Sequence, residues 1–242
     1  MKTTIFGHRG IPVKFVENSR TGFEYLAQKG EAVEFDVHLT QDNVPVIMHD
    51  EKLDRTTNST GYIKNFNAIE LKNVHLINDS NRHQQLVSQH ESIPTLEEVF
   101  EIFNHTDIFL NVELKTDYLS YPGIEKIVLN LLKKYDLSRR VVLSSFNIFT
   151  LQRLYQLDHT QNLAFLSSNK INKPQQFMTD NHLKALHLDR TVRSEAPVFQ
   201  RIWTVNSESD MNMAFQQHLG GLFTDDFEKA KNLRDGDLSQ KI

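Results

Sequence analysis

Apolar and polar positions alternate along the chain in a repeating two-part rhythm. Short apolar runs occur at TIF (Thr4 to Phe6), AVEFDV (Ala32 to Val37), PVIM (Pro45 to Met48), IFLNVEL (Ile108 to Leu114), VVLSSF (Val141 to Phe146), LAFL (Leu163 to Leu166), ALHL (Ala185 to Leu188), RIWTV (Arg201 to Val205) and GLFT (Gly221 to Thr224). Runs of this length and composition predict strands. Between most of them lie stretches with helical spacing. Residues 19–29 run into Gly30 as a C-cap, and Thr95-Leu96-Glu97-Glu98 forms a capping box behind Pro94. Residues 123–135, 147–157, 173–182, 207–218 and 226–233 complete the helices. Strand alternating with helix predicts βαβ units and a parallel sheet. With PVIM set aside as a short accessory strand, eight main strands remain. Eight such units in 242 residues predict an α/β fold, a TIM (β/α)8 barrel. An open doubly wound sheet would call for a G-x-G-x-x-G or Walker sequence after the first strand, and neither occurs.

Residues 51–92 break the rhythm. They are rich in Asn, Gln, Ser, Thr and His and carry no long periodic run. The expectation is a small insertion subdomain within a single catalytic domain spanning 1–242. No internal repeat and no Pro-, Gly- or Ser-rich linker divides the chain.

Composition removes several function classes. The chain has no cysteine, which excludes disulfides, thiolate metal sites and a cysteine nucleophile. Any metal must be held by Asp, Glu, His or water. The formal net charge of −4 gives no basic stripe of the kind a nucleic-acid partner needs. No window approaches about 18 consecutive apolar residues, so no stable membrane insertion is expected, and the N-terminal apolar stretch is too short for a signal peptide. A cytoplasmic location is the expectation. Oligomeric state leaves no mark in the sequence.

Candidate chemistry gathers at strand ends. In VEFDVHLT, Val33, Phe35 and Val37 share one strand face, and Glu34, Asp36 and His38 share the other. In IFLNVELK, Asn111, Glu113 and Lys115 share a face. Sites in such barrels are built at the C-terminal ends of the strands, so Glu34, Asp36 and Glu113 are expected to meet there. Three hard oxygen donors with room for water suit Mg²⁺ or Ca²⁺. A structural Glu113–Lys115 ion pair is the plainer alternative. His8, in GHRG, and His49, after PVIM, also end apolar runs, and an imidazole with a pKa near 6.5 can move a proton at neutral pH. A divalent cation with Arg9 and Lys115 brings four positive charges against three carboxylates, an excess that fits a phosphodiester monoanion. His83, His90, His105, His159, His182 and His218 read as solvated, and His187 as an inward strand residue near a ligand or in the core.

The ordered set of pieces resembles the glycerophosphodiester phosphodiesterase family. It runs His8-Arg9-Gly10, Glu17-Asn18-Ser19, Glu34-Phe35-Asp36-Val37, Pro45 to Asp50, Asp54 to Asn58, Glu113-Leu114-Lys115, Ser145-Phe146, Trp203 to Asn206 and Thr224-Asp225. The match extends from residue 5 to about 230. The resemblance implies a metal-binding TIM-barrel hydrolase that converts glycerophosphodiesters to sn-glycerol 3-phosphate and an alcohol. By position it implies Glu34, Asp36 and Glu113 as metal ligands and His8 and His49 as the general acid/base pair. Arg9 and Lys115 match phosphate-binding positions, and Trp203 the aromatic beside the glycerol. Asn18 is expected at a helix N-terminus, and Glu17 close to the metal or just behind its ligands. Two positions depart from the family pattern: Val16 and Ser19 flank Glu-Asn where Pro and Thr are common, and Ser59 stands where Gly is usual. If that last position requires a positive φ, Ser59 is strained.

Three alternatives stay open at this level. A phospholipase-like phosphodiesterase acting on lipids would need a lipid-facing surface, for which Ile63, Phe66 and Leu71 offer a small patch. A non-catalytic glycerophosphate-binding protein would have no use for two proton-carrying histidines. A serine hydrolase lacks its G-x-S-x-G elbow here.

Overall fold

A computed structural model describes residues 2–77 and 91–236. Its strands are β1 (Thr4–His8), β2 (Ala32–Leu39), β3 (Pro45–Ile47), β4 (Phe109–Leu114), β5 (Val141–Ser145), β6 (Asn162–Ser167), β7 (Ala185–Asp189), β8 (Gln200–Trp203) and β9 (Gly221–Thr224). Its helices are α1 (Arg20–Lys29), α2 (Ala68–Leu71), α3 (Leu96–Phe103), α4 (Ile124–Lys134), α5 (Ile148–Leu157), α6 (Pro174–Asp180), α7 (Glu208–Gln216) and α8 (Phe227–Gly236). The parallel strands run in the order β1-β2-β4-β5-β6-β7-β8-β9 and close through β9–β1 pairing, which makes an eight-stranded TIM barrel. β3 pairs antiparallel with the upper end of β2 and stands outside the barrel. The strands, and every helix except the unanticipated α2, begin within a few residues of their sequence expectations. The connection from β7 to β8 carries no helix, so one of the eight expected units lacks its helix.

The strands are buried on both faces, which is why they read as near-continuous apolar runs. Their outer faces, including Ile5, Val33, Phe35, Val37, Leu110, Val112 and Leu114, pack against Phe23 and Leu26 of α1 and Val99 and Phe100 of α3. Each such side chain contributes about 1.5–3 kcal/mol. Inside, Val142, Ala164 and Ala185 form one small cluster, and Phe6, Ala32 and Phe223 form another against Trp203. Polar side chains occupy the positions nearer the C-terminal strand ends. A separate small core of Val16, Val46, Met48, Leu53, Ile63, Leu71, Val74, Leu76 and Ile93 lies beneath the irregular segment after β3. Ile63 and Leu71 are therefore buried, with Phe66 packed on them, and they offer no lipid-facing patch. Among the described residues no helix is long and apolar enough to cross a membrane.

Helix ends follow side-chain chemistry. Thr95 and Glu98 cap α3 reciprocally. Ser19, one residue beyond the expected Asn18, caps α1 through its hydroxyl to the Gly22 N–H. Gly30 ends α1 with an extended backbone rather than a left-handed one; glycine is needed because a Cβ would lie 2.6 Å from the Leu26 carbonyl oxygen. In the 58–61 turn the positive φ falls on Gly61, so Ser59 carries no such strain. His105, His159, His182 and His218 are exposed, as expected, while His83 and His90 lie outside the described residues.

Candidate active site

Strand register brings the carboxylates together. His8 stands beside Glu34, Glu34 beside Asn111, and Asp36 beside Glu113. Carboxylate oxygens of Glu34, Asp36 and Glu113 all lie within 4.8 Å of one another, and all three residues are buried. They line a cavity of about 130 Å³ with His8, Arg9, His49, Asn111, Lys115, Phe146, Leu166, Trp203, Thr204 and Phe223. Every site residue expected from the sequence is thus on one wall or another of a single cavity.

Three buried carboxylates at this spacing repel. Burial, then Asp36 and Glu113, push the Glu34 carboxyl well above its ordinary range. Burial and Asp36 likewise raise Glu113 against the pull of Lys115. Burial also works against Asp36, but His49, Arg9 and Lys115 around it hold it below its usual value. Lys115 donates to Glu113 at 2.9 Å and lies 3.8 Å from Asp36. The ion pair that was the plainer reading of Glu113 therefore exists, and it exists inside the cluster. Among the described residues, the buried Oδ1 atoms of Asn18 and Asn111 have no partner. Mutually repelling hard oxygens beside an orphaned amide oxygen in the same cavity fit a divalent cation.

The two histidines are held alike. His8 Nδ1 lies 2.6 Å from Asp225, and His49 Nδ1 lies 2.7 Å from Asp50. A carboxylate only accepts, so each Nδ1 carries the proton and each Nε2 is left for other work. Burial, reinforced by Arg9, lowers the His8 pKa and favours its neutral form. Asn206 fixes Asp225 through its side-chain N–H, 3.0 Å from Oδ2, and accepts the Asp225 backbone N–H. His38, fully buried, is the brace behind His49. Burial lowers its pKa to about 4, so it is neutral; its Nε2–H donates to the His49 carbonyl at 3.2 Å, and its Nδ1 accepts from Tyr121.

The loop that presents Arg9 is strained. Arg9 (φ 49°), Gly10 (φ 78°) and Ile11 (φ 66°) are all left-handed in succession. For a β-branched residue that conformation is an outlier, of the kind that clusters at functional sites and costs on the order of 1–3 kcal/mol. The Arg9 side chain reaches Glu17 at 3.3 Å and stands 3.5 Å from Asp36. Asn18 donates to Asp36 at 3.2 Å. Trp203 is fixed by its indole N–H to the His187 carbonyl and meets Phe146 edge-on at 5.6 Å. His187 itself is a core residue, fully buried and paired with Arg201 at 2.9 Å.

Asp225, Asp50, Arg55 and Asn206 stand within the sequence motifs, but no local pattern there names their partners. The available signal was position: Asp225 follows the C-terminal end of β9, where barrel sites are built, and Asp50 adjoins His49.

The family model described as "Glycerophosphoryl diester phosphodiesterase family" matches residues 8–201. A glycerophosphodiester phosphodiesterase of Caldanaerobacter subterraneus subsp. tengcongensis is 31% identical over 96% of this chain and 98% of its own length. One from Bacillus altitudinis is 32% identical with the same coverage. Among solved structures, an Oleispira antarctica phosphodiesterase in complex with the product sn-glycerol-3-phosphate superposes with a TM-score of 0.84 at 28% identity, covering 97% of each chain. A glycerophosphodiester phosphodiesterase from Parabacteroides distasonis superposes at 0.81 with 22% identity over 98% of each chain, a likeness of fold.

Proposed function

The chain belongs to the glycerophosphoryl diester phosphodiesterase family, and on that premise we propose that it hydrolyses glycerophosphodiesters to sn-glycerol 3-phosphate and an alcohol, in a reaction that needs a divalent metal and two histidines. The observation that carries this reading is the pair of carboxylate-backed imidazoles sharing one cavity with three buried acids. A binding protein has no need of such an arrangement.

Glu34, Asp36 and Glu113 would hold the cation, Mg²⁺ or Ca²⁺, with Asn111 close by. When bound, the cation supplies charge neutralisation and Lewis acidity toward a phosphoryl oxygen. Arg9 and Lys115 grip the other non-bridging oxygen, and their fixed charges offset negative charge growing in the transition state. One imidazole takes a proton at Nε2 from the attacking hydroxyl. The other, which enters the step as imidazolium, donates its Nε2 proton to the departing alkoxide. Asp225 and Asp50 hold the tautomers and stabilise each imidazolium as it forms. Trp203 and Phe146 give the glycerol end an apolar wall. Residues 51–92 are read as an insertion subdomain within the single catalytic domain, with 78–90 outside the described residues.

The test is release of sn-glycerol 3-phosphate from a panel of glycerophosphodiesters, choline, ethanolamine, glycerol and inositol esters among them, with Mg²⁺, Ca²⁺ or chelator. Activity should vanish in chelator and in His8→Ala and His49→Ala. Full activity in any of these would refute the reading.

A further inference from the structure

Arg55 lies outside the cavity, in the turn that opens the irregular segment, yet its guanidinium makes four hydrogen bonds toward it. Nε and Nη2 donate to the two Asp50 oxygens at 2.7 and 3.0 Å. Nη1 and Nη2 donate to the two Glu17 oxygens at 2.8 and 2.7 Å. Asp50 is the carboxylate behind His49, and Glu17 is the carboxylate behind Arg9. A continuous chain therefore runs His49–Asp50–Arg55–Glu17–Arg9, with one planar fork at its centre.

The turn that presents this fork is anchored. Leu53 is fully buried in the small core, and its N–H donates to the Gly61 carbonyl. Thr57 donates to the Leu53 carbonyl at 2.7 Å, and Thr56 and Thr57 are both buried. Arg55 is thus held by its backbone as well as by its partners.

We infer that Arg55 is a positioning residue that fixes the His49 imidazole relative to the Arg9 guanidinium, so that proton transfer and phosphate binding are set by a single side chain. The inference rests on the proposed hydrolysis for its kinetic meaning. Only arginine meets the geometry, because a lysine ammonium, with all its donors on one nitrogen, cannot make a two-point contact with each of two carboxylates. Glu17 shows what is at stake in stability: burial would raise its pKa, but Arg55 and Arg9 hold it ionised below the ordinary value. Removing Arg55 leaves that buried charge half-compensated, so loss of stability and loss of positioning must be separated.

The experiment compares Arg55→Lys, Arg55→Met, Arg55→Met/Glu17→Gln, Asp50→Asn and Glu17→Gln with the unaltered enzyme. It reads kcat and KM for glycerophosphocholine, the urea midpoint, and the ¹⁵N shifts of the His49 ring. Asp50→Asn should act chiefly on kcat and Glu17→Gln chiefly on KM. Arg55→Lys should act on both, lowering kcat/KM on the order of 100-fold, the cost of about an ångström of misplacement. Arg55→Met/Glu17→Gln should recover stability relative to Arg55→Met without recovering activity. Its His49 ring should populate both tautomers where the unaltered protein shows only Nδ1–H. Unaltered kinetics in Arg55→Lys would overturn the inference. So would a double variant that regains the parent kcat/KM, since Arg55 would then serve only to neutralise Glu17. If the unaltered protein hydrolyses none of the panel, the proposed reaction fails while the ring spectra still decide Arg55: a single His49 tautomer in the double variant overturns its role.

Discussion

Gly22 sits in the first turn of α1, where helix propensity and site geometry make opposite demands. Replacing an interior helical glycine by alanine should stabilise the protein by about 1 kcal/mol from propensity alone. In the folded protein, however, a Cβ on Gly22 would lie 2.3 Å from the Gly10 carbonyl oxygen and 3.2 Å from its carbonyl carbon and from Ser19 Oγ. The nearest atoms are backbone, in the same left-handed loop that presents Arg9. No side chain can rotate away, so the loop and helix must part by roughly 1 Å to reach van der Waals distance. Overpacking of this kind costs about 1–3 kcal/mol, and the rigid neighbour argues for the upper end. The expected net effect of Gly22→Ala is a loss of about 2 kcal/mol, read from urea unfolding. The same displacement moves Arg9 and the Ser19 cap, so kcat/KM for glycerophosphocholine should fall on the order of 100-fold. A variant that gains about 1 kcal/mol and keeps its kinetics would refute the reasoning. It would mean that the GHRG loop yields without consequence.

Further expectations concern charge and protons. In chelator at pH 7, Glu34→Gln should raise the melting temperature, because it removes one of three buried, mutually repelling carboxylates, while abolishing hydrolysis and weakening metal-induced stabilisation; a lower melting temperature in chelator would contradict the repulsion. With a p-nitrophenol leaving group, which needs no proton, one of His8→Ala and His49→Ala should regain most of its lost rate and the other should not. Equal behaviour of the two would refute a division into acid and base. His187 is buried and neutral, its pKa pushed well below 6.5 by burial and then by Arg201. Because the unfolded chain takes up that proton first, this contribution to stability is complete above about pH 6.5 and is lost as pH falls, at up to about 1.4 kcal/mol per pH unit. His187→Gln should flatten the urea midpoint between pH 7 and pH 5, and an unchanged slope would refute the assignment.

Strand and helix positions were legible because each element satisfies its own local rule. Val33, Phe35 and Val37 alternate with Glu34 and Asp36 because a barrel strand has an outer face to bury and an inner face to use, and periodicity alone reports that. What stayed hidden depends on pairs far apart in the chain. His8 meets Asp225 across 217 residues, and no local pattern announces that bond. Asp50 and Arg55 are near neighbours in sequence, but their meaning comes from Glu17, which lies 38 residues before Arg55 and reaches it only when α1 and the post-β3 turn pack on the same strand ends. Asn18 was displaced from its expected cap by one residue for a related reason. Its φ of 58° turns its amide toward Asp36, and Ser19 is left to hold the helix. At this site the local rule is broken where the active-site geometry requires it: Arg9, Ile11 and Asn18 all accept a left-handed backbone that sequence patterns would assign to glycine. The residues least predictable from propensity are therefore the ones that aim the charges.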